Sequence, residues 1–155
     1  MEKTLSIIEI LNDLIKINND RIVGYEKAFG NTKEPDIDLR IVYQQMANQS
    51  KRFVLDLGKE VVRYGATVEI DTTLAGKVYR VWMDVKATIS GHDRVSSLDA
   101  CEFGEDAAQR AYKMALESDA EITVDIRKMI MNQMSSLKNS HEIIEKYSEI
   151  NKAIY

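Results

Sequence analysis

The chain has 155 residues, 45% of them apolar and 30% charged, and a formal net charge of −4. A length of this order suits a single domain, here residues 1–155, that buries roughly 68–70% of its unfolded surface, and the composition excludes a disordered chain. The acidic balance and the lack of a basic arm argue against a nucleic-acid partner. The longest uncharged run, Ile41 to Ser50, falls short of the ~20 apolar residues of a membrane span. The single cysteine, Cys101, has no intrachain disulfide partner, and Glu9 and Asp13 interrupt the stretch a signal peptide needs. A cytoplasmic protein is expected.

Apolar residues recur with a period near 3.6 almost throughout, which predicts an all-α fold. In a first helix Ile8, Leu11, Ile15, Ile22, Tyr25 and Phe29 share a face, with a capping box at Ser6 to Glu9 and an end at Gly30-Asn31. A second helix starts around Pro35, where Asp36 and Asp38 suit the positive end of its dipole. It buries Leu39, Val42, Met46, Phe53, Leu57 and Val61 and stops at Gly65. The stretch Ala66 to Ile70 has β character but is too short for a sheet. A short third helix opens near Asp71-Thr72-Thr73 and carries Leu74, Val78, Trp82, Val85 and Ile89. Gly91-His92 breaks it, and Asp93 caps a fourth helix that runs to about Leu116. Ser118-Asp119-Ala120-Glu121 reads as the capping box of a fifth, with Ile122, Ile126, Met129 or Ile130, Leu137, Ile144 and Tyr147 on one face.

Four long helices, two short turns and one long connection describe a ferritin-like four-helix bundle with an additional short crossover helix. An up-down bundle of five helices meets the same lengths.

Polar residues interrupt the apolar stripes. The fourth helix reads Val95, Leu98, Glu102, Glu105, Gln109, Tyr112, Leu116, so two carboxylates share the face of core residues. Gln133 and His141 lie on or beside the stripe of the fifth helix, Asn18, Asn19 and Glu26 do so in the first, and Gln49 in the second. Buried carboxylates need a partner, a hydrogen-bond network or a metal, and bundles build metal sites from such inward groups. Two readings follow: a hydrogen-bonded polar layer that fixes helix register, or a metal site. For the metal site the candidate ligands are Glu102, Glu105, His141, Glu26 and Gln49, whose chemistry suits iron or manganese.

The segments Leu11-Asn12-Asp13-Leu14, Asp20 through Gly24-Tyr25-Glu26, Gly76 with Arg80-x-Trp82-Met83-Asp84, and Gly104-Glu105-Asp106 resemble an uncharacterised family of bacterial ferritin-like four-helix-bundle proteins. The resemblance runs from Leu5 to about Tyr147 and implies the ferritin-like bundle without an established activity. Di-iron members of the wider group place Glu-x-x-His on two helices. Here the residue three before His141 is Lys138, and three before His92 is Ile89, so a complete di-iron ligand set is not expected. Metal binding in the bundle interior and a non-enzymatic stress or scaffold role both remain open. Phe103 directly follows Glu102 and points about 100° away from it on a helix. An inward Glu102 would thus leave Phe103 partly exposed, to be covered by the crossover helix with Trp82 or by the second subunit of a homodimer, which is the arrangement expected.

Overall fold

The computed structural model describes residues 6–32, 36–68 and 94–154, apart from the side chains of Asn31 and Ile154. The expected third helix, with Arg80, Trp82 and Asp84, and the break at Gly91-His92 lie outside the described residues. The regular structure within them is helical: α1 is Ile7–Asn31, α2 is Ile37–Arg63, α3 is Arg94–Glu117 and α4 is Val124–Ile154. Among the described residues no strand is present, and no helix is long and apolar enough to cross a membrane.

Local chemistry sets the helix ends. Ser6 Oγ accepts the Glu9 N–H at 3.1 Å, supplying the N-cap half of the expected box. Gly65 ends α2 with φ at +76°. Its N–H bonds to the carbonyl of Val62 and that of Ala66 to Val61, the two hydrogen bonds of a Schellman stop, which glycine adopts without a Cβ penalty. The start of α4 departs from expectation. Ser118 Oγ donates back to the Ala115 carbonyl at 2.7 Å, and Thr123 Oγ1 is the group that caps Ile126 N–H at 3.3 Å. The competing backbone bond closes α3 and delays the next helix to Val124. At α2, Asp36 makes no side-chain cap bond. Its carboxylate and that of Asp38 instead accept from Arg94 at 2.7 and 2.8 Å, and this pairing lowers the Asp38 pKa below its ordinary value.

Among the described residues each helix has two neighbours: α1 packs on α2 and α3, and α4 on α3 and α2, with the α2–α4 approach the loosest of the four. Neighbours run antiparallel. Asn18 and Arg21 of α1 meet Tyr112 and Glu105 of α3, while Gln109 and Asp99 of α3 meet His141 and Ser148 of α4. The diagonal pair α2 and α3 runs parallel, because Arg94 and Ser97 at the start of α3 bond Asp36 and Tyr43 at the start of α2. The end of α2 and the beginning of α3 therefore lie at opposite ends of the bundle. Both a long crossover and a further antiparallel helix would join those ends, and the connecting residues 69–93 lie outside the described residues.

Buried residues follow heptad-like spacing in every helix. In α1 the inner face is Leu14, Asn18, Arg21, Tyr25 and Ala28; in α3 it is Leu98, Cys101, Glu105, Ala108, Tyr112 and Ala115. Ile130, Leu137 and Ile144 of α4 and Leu39, Tyr43, Met46 and Leu57 of α2 complete the core. Cys101 is buried, and that burial raises its thiol pKa, so it packs as a small apolar group rather than as a thiolate.

Candidate functional site

The interior of the bundle holds an ion pair. Arg21 of α1 and Glu105 of α3 are both fully buried, at 0% side-chain exposure. The guanidinium forks onto the carboxylate, Nε donating to Oε1 and Nη2 to Oε2, the second at 3.2 Å. Its other hydrogens are also used: Nη1 donates to the Met46 carbonyl at 3.1 Å and to Ser50 Oγ at 2.7 Å, and Nη2 reaches Met46 Sδ at 3.6 Å. All five N–H donors of the guanidinium thus have a partner. The Tyr25 ring lies 5.2 Å below the charge and itself packs on Tyr43, 5.8 Å between centroids. Burial opposes the charge on Arg21, and the adjacent Glu105 carboxylate outweighs it, so the arginine pKa stands above its ordinary value.

From this pair a hydrogen-bonded chain crosses the bundle. Ser50 Oγ donates to Asn18 Oδ1 at 2.8 Å, and Asn18 Nδ2 donates to the Leu14 carbonyl and to Tyr112 Oη, both at 2.8 Å. Tyr112 Oη donates to Gln133 Oε1 at 2.6 Å. Residues from all four helices take part. An arginine only donates, so Ser50 must accept from it and pass its own proton on, and each later donor follows in turn. An interior polar layer is present with a buried cation at its head, but of Glu102, Glu105 and His141, the residues expected to form it, only Glu105 takes part.

The candidate metal ligands are divided among several places. Glu105 is spent on Arg21. Glu26 is half exposed and pairs with Lys51 at 2.8 Å, and Gln49 Oε1 accepts from Ser140 Oγ at 3.0 Å. Asn19 faces solvent. Glu102 of α3 and His141 of α4 do come together, and Glu145 joins them: one ligand atom from each lies within 4.8 Å of the others. Glu145 follows His141 by one helical turn, the spacing that places two side chains on one face. His141 Nδ1 lies 2.7 Å from Gln109 Nε2.

Arg21 is the residue that sequence reading passed over. Its signal was the spacing of Leu14, Asn18, Arg21, Tyr25 and Ala28 at four, three, four and three residues, a regular inward stripe with a cation inside it. The stripe chosen from the sequence, through Ile15 and Ile22, is displaced around the helix, and Ile22 is only partly buried.

Geometry and chemistry define the class: an all-α four-helix bundle with a buried, fully hydrogen-bonded ion pair at its centre. A family model described as "Domain of unknown function (DUF2383)" matches residues 6–118, and the chain belongs to that family. The matched stretch contains α1, α2 and α3, and with them Arg21, Glu105 and most of the polar chain. No curated protein and no solved structure matches the chain.

Proposed function

We propose that this protein is a ferritin-like bundle that binds a single divalent metal, iron or manganese, at Glu102, His141 and Glu145 between α3 and α4. The interior, where ferritin-like proteins carry their metals, holds the Arg21–Glu105 pair instead, and a buried guanidinium disfavours a cation beside it. The observation that carries the proposal is the convergence of three ligand atoms within 4.8 Å from two helices. Metal–ligand bonds of about 2.1 Å put neighbouring ligand atoms roughly 3 Å apart, so small side-chain rotations close the site. Two carboxylates and an imidazole suit iron or manganese. With its amide turned over, Gln109 would accept from His141 Nδ1–H and leave Nε2 for the metal, the arrangement that outer partners of ligating histidines provide.

Calorimetric titration of metal-free protein with Mn(II), and anaerobically with Fe(II), is expected to give one equivalent bound. Affinity is expected to fall at least about tenfold, or roughly 1.4 kcal/mol, in His141→Ala and in Glu145→Ala. Unchanged stoichiometry and affinity in both variants would remove the site.

A second reading, a non-enzymatic scaffold acting as a homodimer in the cytoplasm, draws on Phe103. Its side chain is 63% exposed on α3, one residue from Glu102. A large exposed aromatic ring suits the centre of a symmetric interface. Light scattering of the wild-type protein is expected to give twice the chain mass of 17.7 kDa, and Phe103→Glu is expected to give a helical monomer. A wild-type monomer across the micromolar range would overturn the dimer.

A further inference from the structure

The ligand group on α3 and α4 stands beside a surface stripe that is complementary to itself. Asp99, Phe103, Asp106 and Arg110 recur along α3 at four, three and four residues, which sets them in one line on the helix. Phe103 is exposed, and the other three side chains are 45% to 61% exposed. Glu102 lies beside this line, on the flank toward α4 where it meets His141 and Glu145. Asp106 follows Glu102 by one turn on the same flank. The stripe reads acid, aromatic, acid, base, and its present ion pairs are weak ones. Arg110 pairs with Asp106 of its own chain at 3.0 Å, an exposed contact that contributes little and exchanges readily. Ser148 and Lys152 both bond Asp99 through Oδ1, so a second cation can approach Oδ2.

An antiparallel pairing of α3 with α3 of a second copy fits this order of charges. About a twofold axis midway between Phe103 and Asp106, Asp99 faces Arg110 of the partner subunit and Arg110 faces the partner's Asp99, one contact made twice. Phe103 then faces Asp106 of the partner subunit. Such an axis keeps each flank of α3 on its own side. The partner's Asp106 therefore arrives on the flank of Glu102, one residue along the helix from it, across the 8–10 Å that separates packed helices. We infer that a second copy of this chain completes the cation site, the partner's Asp106 joining Glu102, His141 and Glu145. The inference rests on the metal reading above and names the partner of that site. Three protein groups leave positions open on iron or manganese, which take up to about six ligands. Without a cation the same approach brings three carboxylates together, Glu102, Glu145 and the partner's Asp106, and their repulsion opposes the dimer. A divalent ion reverses the sign, so metal binding and dimerisation are linked, and each strengthens the other by the same factor.

The test reads both sides of the linkage on the full chain. Sedimentation equilibrium in Mn(II) and in EDTA is expected to give a dimer Kd at least about tenfold lower with the metal. Calorimetric Mn(II) affinity should rise by the same factor between chain concentrations below and above that Kd. Asp106→Ala should keep Mn(II) binding at the low chain concentration, where Glu102, His141 and Glu145 remain, and should lose the rise, with helix content unchanged. Arg110→Glu, which sets a like charge against the partner's Asp99, should weaken the Mn(II)-bound dimer at least about tenfold. One equivalent of Mn(II) bound, with the same dimer Kd in metal and in EDTA, overturns this inference and leaves the single-chain metal site standing. Full linkage retained in Asp106→Ala also overturns it, because another group would then complete the site. No Mn(II) bound at any chain concentration overturns both readings.

Discussion

Glu105→Ala is expected to destabilise the fold by about 3–5 kcal/mol, the usual cost of leaving one member of a buried ion pair alone. Arg21 would keep its charge, since a guanidinium does not give up its proton within the accessible pH range, and no described residue could replace the carboxylate at 0% exposure. Glu105→Gln should fall between wild type and Ala, because the amide retains one acceptor for the fork and removes the countercharge. The double variant Arg21→Met, Glu105→Leu should cost clearly less than the sum of its single changes, since it removes both charges and fills the space with apolar atoms. Urea denaturation of wild type, these variants and the single changes Arg21→Met and Glu105→Leu at neutral pH measures this directly. A single Glu105→Ala cost under about 1 kcal/mol would mean that water or a shifted helix rescues the arginine.

Alkaline unfolding is the second large effect. Burial, with the Glu105 charge adding to it, raises the Tyr25 hydroxyl pKa well above its ordinary value. Burial does the same for Tyr112 and Tyr43, and for the Cys101 thiol with Glu105 again contributing. In the unfolded chain these groups ionise near their ordinary values, about 10 for tyrosine and 8.5 for cysteine. Their contribution to stability is therefore complete below those values and is lost as pH rises toward the folded pKa values, because the unfolded chain releases protons that the folded chain retains. Each such group costs about 1.4 kcal/mol per pH unit once its unfolded form is ionised. Three tyrosines together remove about 4 kcal/mol per unit, against a typical total of 5–15 kcal/mol. Helix content should collapse in one step above about pH 11, with the buried tyrosinate absorbance rising in the same step. Tyr43→Phe should make the loss shallower by one group's share. Tyrosinate absorbance from all three rings that appears before the helix is lost would show that they are not sealed in the core.

Helix positions and ends were legible in large part from residue order. Periodicity located all four described helices, and Ser6 and Gly65 marked two ends through chemistry that acts within a few residues. Ser118 misled because a serine near a helix end has two nearby partners, the N–H groups ahead of it and the carbonyls behind it, and here the carbonyl of Ala115 wins. The stripes were found to within about 100°, one residue's rotation on a helix. That margin decides whether Glu102 or Glu105 faces the centre, and it moved the interior carboxylate from a supposed metal ligand to the partner of Arg21.

The sequence by itself determined the all-helical class and the presence of polar groups within the core stripes, because both are written in spacing along one helix. Only the tertiary structure decided which polar groups meet. Arg21 and Glu105 are 84 positions apart, and Glu102 reaches His141 and Glu145 only where α3 and α4 run antiparallel. Contacts of that kind depend on helix rotation and register across an interface, to which no local pattern of residues responds. The direction of the hydrogen-bond chain has the same origin: it follows from an arginine that can only donate, seated where α2 and α3 supply its acceptors and where Ser50, Asn18 and Tyr112 carry its polarity through to Gln133.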